Sequence, residues 1–297
     1  MKPVVKIVLC SVIVLLLVGL LVWAIGLDGK LPIALTRYDD AAYSVGNTDG
    51  ETVLKDTVTA LDIDWPSSHV TVSAYDGDTV ILRETAQENQ DNCLRYCVEN
   101  GTLRVRFCKN TVFNFSFGKD LEILLPAAQS LSRIELDLAS AEAQLTALKA
   151  DALEVDTASG DVTAADCSFG SVEVDGASGA FRAERCDIGD FEMDSASGSA
   201  VLQGSFGAVS YDSASGDLLL VSDIAPRKIE MDTASGNADI TVPADADFRL
   251  EFDSASGELT VDGFAGTSKK DGFLCGSGMA EYSFDSASGD VTLRAGS

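Results

Sequence analysis

The chain has 297 residues, is 46% hydrophobic and carries a formal charge of −26. Its aromatic and β-branched content excludes wholesale disorder and suffices for two domains or one elongated one. The charge repels nucleic acid and anionic lipid surfaces, so neither is expected as a partner.

Ile7 to Leu27 is an uncharged run of 21 residues. At ~1.5 Å per residue it spans roughly the ~30 Å hydrocarbon core and predicts a transmembrane helix. Lys2 and Lys6 precede it and Trp23 lies near its far end, so residues 1–6 form a cytoplasmic tail and the bulk of the chain is exported. The small residues at Ala24-Ile25-Gly26 fit a cleavable signal peptide as well, but the run exceeds the ~7–15 residues of a signal core, which favours an anchor. Cys10 lacks the small residues of a lipoprotein box and reads as a membrane-buried thiol.

Residues 28–56 are predicted to be a linker, rich in Asp, Gly and Asn over 39–50. Residues 57–130 form an N-terminal β section. Val58, Leu61 and Ile63, then Val70 and Val72, alternate as strands do, and Asn100-Gly101 is the favoured pair for a two-residue hairpin turn. That register pairs Glu99 with Thr102, Val98 with Leu103 and Tyr96 with Val105, and would set Cys93 opposite Cys108 as a disulfide.

From residue 131 onward, acidic side chains outnumber basic ones by 31 to 10, and a motif recurs. Asp137, Asp156, Asp175, Asp194, Asp212, Asp232, Asp253 and Asp285 each begin Asp-x-Ala-Ser, followed by Gly in all but the first, at spacings of 19, 19, 19, 18, 20, 21 and 32. A unit this short cannot bury its own apolar face, so residues 131–297 must stack as a parallel β-solenoid of ~19-residue rungs. The residues one and three before each Asp are apolar, as are those six and eight after it in most repeats. Inward parity therefore flips inside the motif, which must be a corner, with Gly supplying a special backbone shape. Ala139–Ala152 is rich in helix formers but aligns with Ala158–Ser171 at a spacing of 19, so the repeat is expected to win. The long last gap predicts a loop excursion over Gly263–Gly278.

Stacking at ~4.8 Å makes a ladder of Asp156, Asp175, Asp194, Asp212, Asp232 and Asp253. Such a ladder is a candidate Ca²⁺ site; alternatively, each Asp accepts hydrogen bonds from the Ser and Gly amides of its own turn. Cys167 and Cys186 lie eleven residues past their Asp and fall on neighbouring rungs, either as a disulfide or as a reduced ladder. The serine column lacks a base, since His69 is the only histidine. Ser116-Phe-Gly-Lys119 matches Ser-x-x-Lys without its companion motifs, and no nucleotide or metal fingerprint appears. No enzyme activity and no cofactor are expected.

Leu61-Asp-Ile63-Asp-Trp65, Gly101-Thr-Leu-Arg-Val105, Leu121-Glu-Ile-Leu-Leu-Pro126, the Ser-Gly-Asp turns, Ile240-Thr-Val-Pro243 and Gly276-Ser-Gly278 together resemble the bacterial membrane-anchored β-strand-repeat family known as "putative adhesins", whose core is a domain of unknown function. The resemblance runs from Thr57 to Leu293 and implies an all-β solenoid outside the cytoplasmic membrane. It also implies adhesion or envelope maintenance, with envelope or surface proteins or glycans as partners, and supplies no catalytic residues. The alternatives are an accessory of envelope-stress signalling acting through residues 1–50, and a divalent-cation module.

Overall fold

The computed structural model describes residues 38–109, 118–269 and 271–296; the expected tail 1–6 and transmembrane segment 7–27 lie outside the described residues. The described part is all β, with 24 strands and two short 3-10 turns.

Each rung follows from its alternation. In Leu153-Glu-Val155-Asp156 the two aliphatic side chains point inward and are buried, while Glu154 and Asp156 point out. The repeat spacing then fixes the register, with Leu153 beside Ile134 on one neighbour and Val172 on the other. Past the corner, Val162 and Ala164 turn inward again in a second ladder, between Ala143 and Leu145 below and Phe181 and Ala183 above. The two parallel ladders share one core, crossed for example by Phe181 and Phe191 with ring centroids 5.3 Å apart.

The corner works differently from the sequence expectation. None of the motif glycines has a positive φ. What they provide is space, because a Cβ on Gly236 would lie 1.8 Å from the carbonyl oxygen of Gly216, and one on Gly216 1.8 Å from that of Gly198. Ala141, the exception, stacks on a different turn, Trp65-Pro66-Ser67-Ser68, in which Ser68 takes a φ of 71°. The opposite corners do use left-handed residues, Ala147, Asp166 and Arg185 at φ 56°, 56° and 53°. Arg185 grips Asp166 of the rung before with two hydrogen bonds of 2.7 and 2.8 Å.

Ala139–Ala152 follows the repeat: it supplies the strand Glu142–Thr146 and the start of Lys149–Thr157. Helix propensity loses here because Ala143 and Leu145 are already committed to the buried face of a two-sided ladder.

Rungs do not stack in chain order at either end. The last rung, Ala280–Ser286 with Val291–Gly296, is inserted between the rung of Asp232 and that of Asp253. The predicted excursion makes this possible. Gly266–Lys269 and Gly272–Cys275 form an antiparallel hairpin that caps Phe248–Ser254 and returns the chain. At the other end Ala60–Trp65 and His69–Tyr75 are likewise enclosed, between Thr102–Arg106 and Leu131–Leu138 in one ladder and between Leu121–Pro126 and Glu142–Thr146 in the other. Antiparallel strands close that end too. They include Glu51–Leu54 and Ser44–Val45, so the segment read as linker contributes strands to the cap from residue 44 onward.

The hairpin turn is as expected, with Asn100 and Gly101 at φ 52° and 82° and Val98 opposite Leu103. Its ladder stops at Arg95 opposite Arg106, both buried. Arg95 bonds Asp40 and the carbonyls of Gln90 and Cys93, while Arg106 bonds Asp62. Beneath them Lys119 and Glu84 form a buried pair at 2.5 Å, with the ammonium 5.0 Å from the Trp65 ring centre and 4.6 Å from that of Phe107. Burial lowers the Lys119 pKa, and the adjacent Glu84 carboxylate opposes the shift.

The close approach at the corner predicts that Gly236→Ala destabilises the fold by about 1–3 kcal/mol or more, because a backbone carbonyl rather than a side chain must move. Urea unfolding measures it; a variant as stable as the parent would show that the corner has slack.

Candidate functional site

The aspartates of the motif lie in one column. Asp64, Asp137, Asp156, Asp175, Asp194, Asp212, Asp232, Asp285 and Asp253 are consecutive in register across nine strands. Two residues earlier runs a second outward column, Asp62, Glu135, Glu154, Glu173, Glu192, Ser210, Glu230, Ser283 and Glu251. The outer face of the first ladder is thus a sheet of carboxylates, one rung of ~4.8 Å apart along the stack. The cations that reach it bond mainly the second column: Arg104 and Arg106 hold Asp62, Arg133 holds Glu135 and Glu154, and Lys228 holds Glu230.

Crowding shows in the titration of the aspartates. Burial, then the charges of Asp64 and Asp156, raise Asp137 to about 6; burial, then Asp232 and Asp194, raise Asp212 to about 6. Asp156, Asp194 and Asp285 are raised for the same two reasons.

The turn amides do not go to these carboxylates. In the six repeats where Ser or Thr follows the Asp, its hydroxyl accepts from the motif glycine, for example Thr157 from Gly160 at 2.9 Å, Ser213 from Gly216 at 2.9 Å, Thr233 from Gly236 at 2.9 Å and Ser286 from Gly289 at 2.6 Å. Four of these hydroxyl residues are buried polar groups satisfied in this way. The motif serines join rungs instead, Ser178 donating to Ala158 and Ser197 to Ala177, each at 3.3 Å. The Asp column is therefore left free of the turn-capping role, and the signal was legible in the Ser or Thr that follows Asp in most repeats.

For metal binding the arrangement is linear. Among the described residues no three His, Cys, Asp or Glu side chains converge as a metal would need. Asp156, Asp175, Asp194, Asp212, Asp232 and Asp253 stand side by side on a flat sheet, so each meets only its neighbours above and below.

Among the described residues no disulfide joins Cys93, Cys97, Cys108, Cys167, Cys186 and Cys275. Cys93 caps the 3-10 turn Gln90–Asn92, and both it and Cys108 lie beyond the hairpin ladder, because the chain leaves the register to bury Arg95 and Arg106. Cys167 and Cys186 do meet on adjacent rungs, buried and donating to Ala165 at 3.3 Å and Ala164 at 3.4 Å. The close approach of the two sulfurs, which favours one thiolate stabilised by the other thiol, draws Cys186 down to about 7 and pushes Cys167 up.

The Ser-x-x-Lys match is only half in view. Ser116 lies outside the described residues, and Lys119 is buried against Glu84. His69 is exposed on the second ladder, 3.0 Å from Asp120 and 3.6 Å from Glu142, at one side of a shallow groove of about 300 Å³ that also involves Gln144, Asp161, Thr163 and Arg182.

Two in-register parallel ladders turning about paired corners, closed at their ends by antiparallel strands, define an open all-β stack of the solenoid kind rather than a barrel. The chain belongs to the family described as Toastrack DUF4097, whose model matches residues 58–294. No curated protein matches it. Solved structures similar to it include one described as a "putative lipid binding protein" from Parabacteroides distasonis, 17% identical over 83% of this chain and 94% of that one, with a TM-score of 0.45. A "putative adhesin" from Bacteroides fragilis is 14% identical over 82% and 95% of the two chains at 0.43, and another from Parabacteroides merdae is 13% identical over 83% and 95% at 0.44.

Two outcomes follow from this geometry. The raised aspartates hold protons more tightly folded than unfolded, so their charge destabilises the fold above about pH 6 and this penalty fades as pH falls toward 4. The thermal midpoint should therefore rise between pH 7.5 and pH 5, less so in Asp212→Asn; a fall over that range would contradict it. Peptide mapping of the non-reduced, alkylated protein should recover Cys93 and Cys108 separately, each alkylated; a linked pair would show that the cap rearranges.

Proposed function

We propose that the chain is a membrane-anchored, extracytoplasmic interaction protein of the cell envelope: residues 7–27 hold it in the cytoplasmic membrane, and the stack displays its carboxylate face to basic groups on surface or envelope partners. The observation that carries this reading is the column of nine in-register aspartates. Turn capping falls to the hydroxyls, so the carboxylates of Asp156, Asp175, Asp194 and Asp212 are not spent on holding their own turns. A periodic, rigid array of one sign favours multivalent, salt-sensitive contact, each weak bond adding to its neighbours. The stack needs no ligand to stand, since its core is continuous from end to end.

The test uses the full chain in neutral detergent, immobilised against envelope extract of the expressing cell. Asp156, Asp175, Asp194 and Asp212 are replaced together by Asn. Capture is expected to weaken at least tenfold in the variant and to be reversed by about 0.5 M salt, while the variant melts no lower than the parent. Undiminished capture by a folded variant would move the interaction surface elsewhere. Deleting residues 7–27 should release the chain from the membrane fraction; retention there would refute the anchor.

A further inference from the structure

The outward face of the second ladder differs from the first in kind. Its central column reads, rung by rung, Gln144, Thr163, Arg182, Val201, Leu219, Asp239, Thr292 and Thr260. In a chain of charge −26 that strip holds one positive and one negative residue. Exposed apolar side chains concentrate at its middle: of the six large hydrophobics exposed among the described residues, Leu219, Val221 and Ile224 lie on one strand and the turn leaving it. An apolar centre within a charged border, here Asp161, Asp217, Asp290 and Glu258 on one side and Glu184, Arg294 and Asp262 on the other, has the anatomy of a protein contact.

The order of residues in the strip is self-complementary. A twofold axis parallel to the strands, placed between Val201 and Leu219, reverses the rung order of a facing copy while keeping the columns aligned. Val201 of one copy then faces Leu219 of the other. One rung further out on either side, Arg182 faces Asp239 and Asp239 faces Arg182, and beyond them Thr163 faces Thr292 and Gln144 faces Thr260. Arg182 lies 3.2 Å from Asp161 and Asp239 bonds Arg294 within the chain, so both charges are held at the surface in place for a partner. Eight rungs at ~4.8 Å by four residues at ~3.3 Å give a strip of about 500 Å² per copy, or about 1,000 Å² in all, near the lower limit for a specific interface.

We propose that two copies of this chain pair face to face through the second ladder about this twofold axis, leaving a carboxylate face on each outer side. The alternative contact, first ladder to first ladder, would oppose two columns of aspartates and is excluded by repulsion. The pairing does not depend on what the acidic face binds.

Sedimentation equilibrium of the full chain in density-matched detergent tests it, with Arg182→Asp, Asp239→Arg and the double reversal as variants and circular dichroism to confirm folding. The parent is expected to dimerise in the micromolar range. By symmetry each single reversal creates two like-charge contacts and should weaken the dimer at least tenfold, and the double reversal should restore it to within about threefold. Leu219→Lys, which touches no ion pair, should abolish it. A monomer up to about 100 µM, a dimer indifferent to the single reversals, as one formed by residues 7–27 would be, or a double variant weaker than either single would each overturn the proposal.

Discussion

The stack depends on how closely one corner can sit on the next. Successive rungs in a parallel ladder are ~4.8 Å apart, and at the corner the carbonyl of one motif points at the α-carbon of the motif above it. Only a residue without a Cβ leaves that approach open. Everything else in the repeat serves this contact: the small Ala, the Ser that donates to the rung before it, and the hydroxyl that turns inward to take the glycine amide. Once the corners are in register, both ladders are in register, and the backbone brings the aspartates into one column.

Much of this was legible in the spacing. A period of 19 with flipped parity can hardly be satisfied except by two strands and a corner, and it overrode the helical propensity of Ala139–Ala152 because propensity is worth tenths of a kcal/mol per residue and a shared core far more. The purpose of the glycine was misassigned, because a glycine needed for room and one needed for a positive φ look alike in a sequence; only the neighbour's carbonyl distinguishes them. The expected cross-strand register of Cys93 and Cys108 is not met, for a related reason. Alternation assigns faces correctly, but it does not reveal that Arg95 and Arg106 will be buried with partners as distant as Asp40 and Asp62. Rung order at the ends was likewise out of reach, since insertion and simple succession produce the same local pattern.

Charge is distributed so that the two outer faces have different prospects. On the first ladder the carboxylates stack in register, and repulsion is tolerated because the sheet's hydrogen bonds and core do not depend on them. On the second ladder the central outward column mixes threonine, glutamine and aliphatic residues with one Arg, Arg182, and one Asp, Asp239. The slab therefore has a side that resists approach by its own kind and a side that does not. The ends are handled separately: antiparallel strands cover the first ladder at both ends and the second at the N-terminal end, which removes most of the bare edge that a parallel stack would present.

The enclosed terminal rungs also bear on how such a chain can change length. Because the final eighteen or so residues occupy an interior slot, a unit appended after them would have no adjacent edge to join, and one lost from the tail would leave a gap within the stack rather than a shorter stack. The same holds near the start, where Ala60–Trp65 is enclosed by later strands. Growth and shrinkage by duplication or deletion are thus confined to the uniform middle, where any rung fits on any other. The ends act as fixed bookends, and a lineage of such proteins would vary in the number of middle rungs while keeping both closures intact.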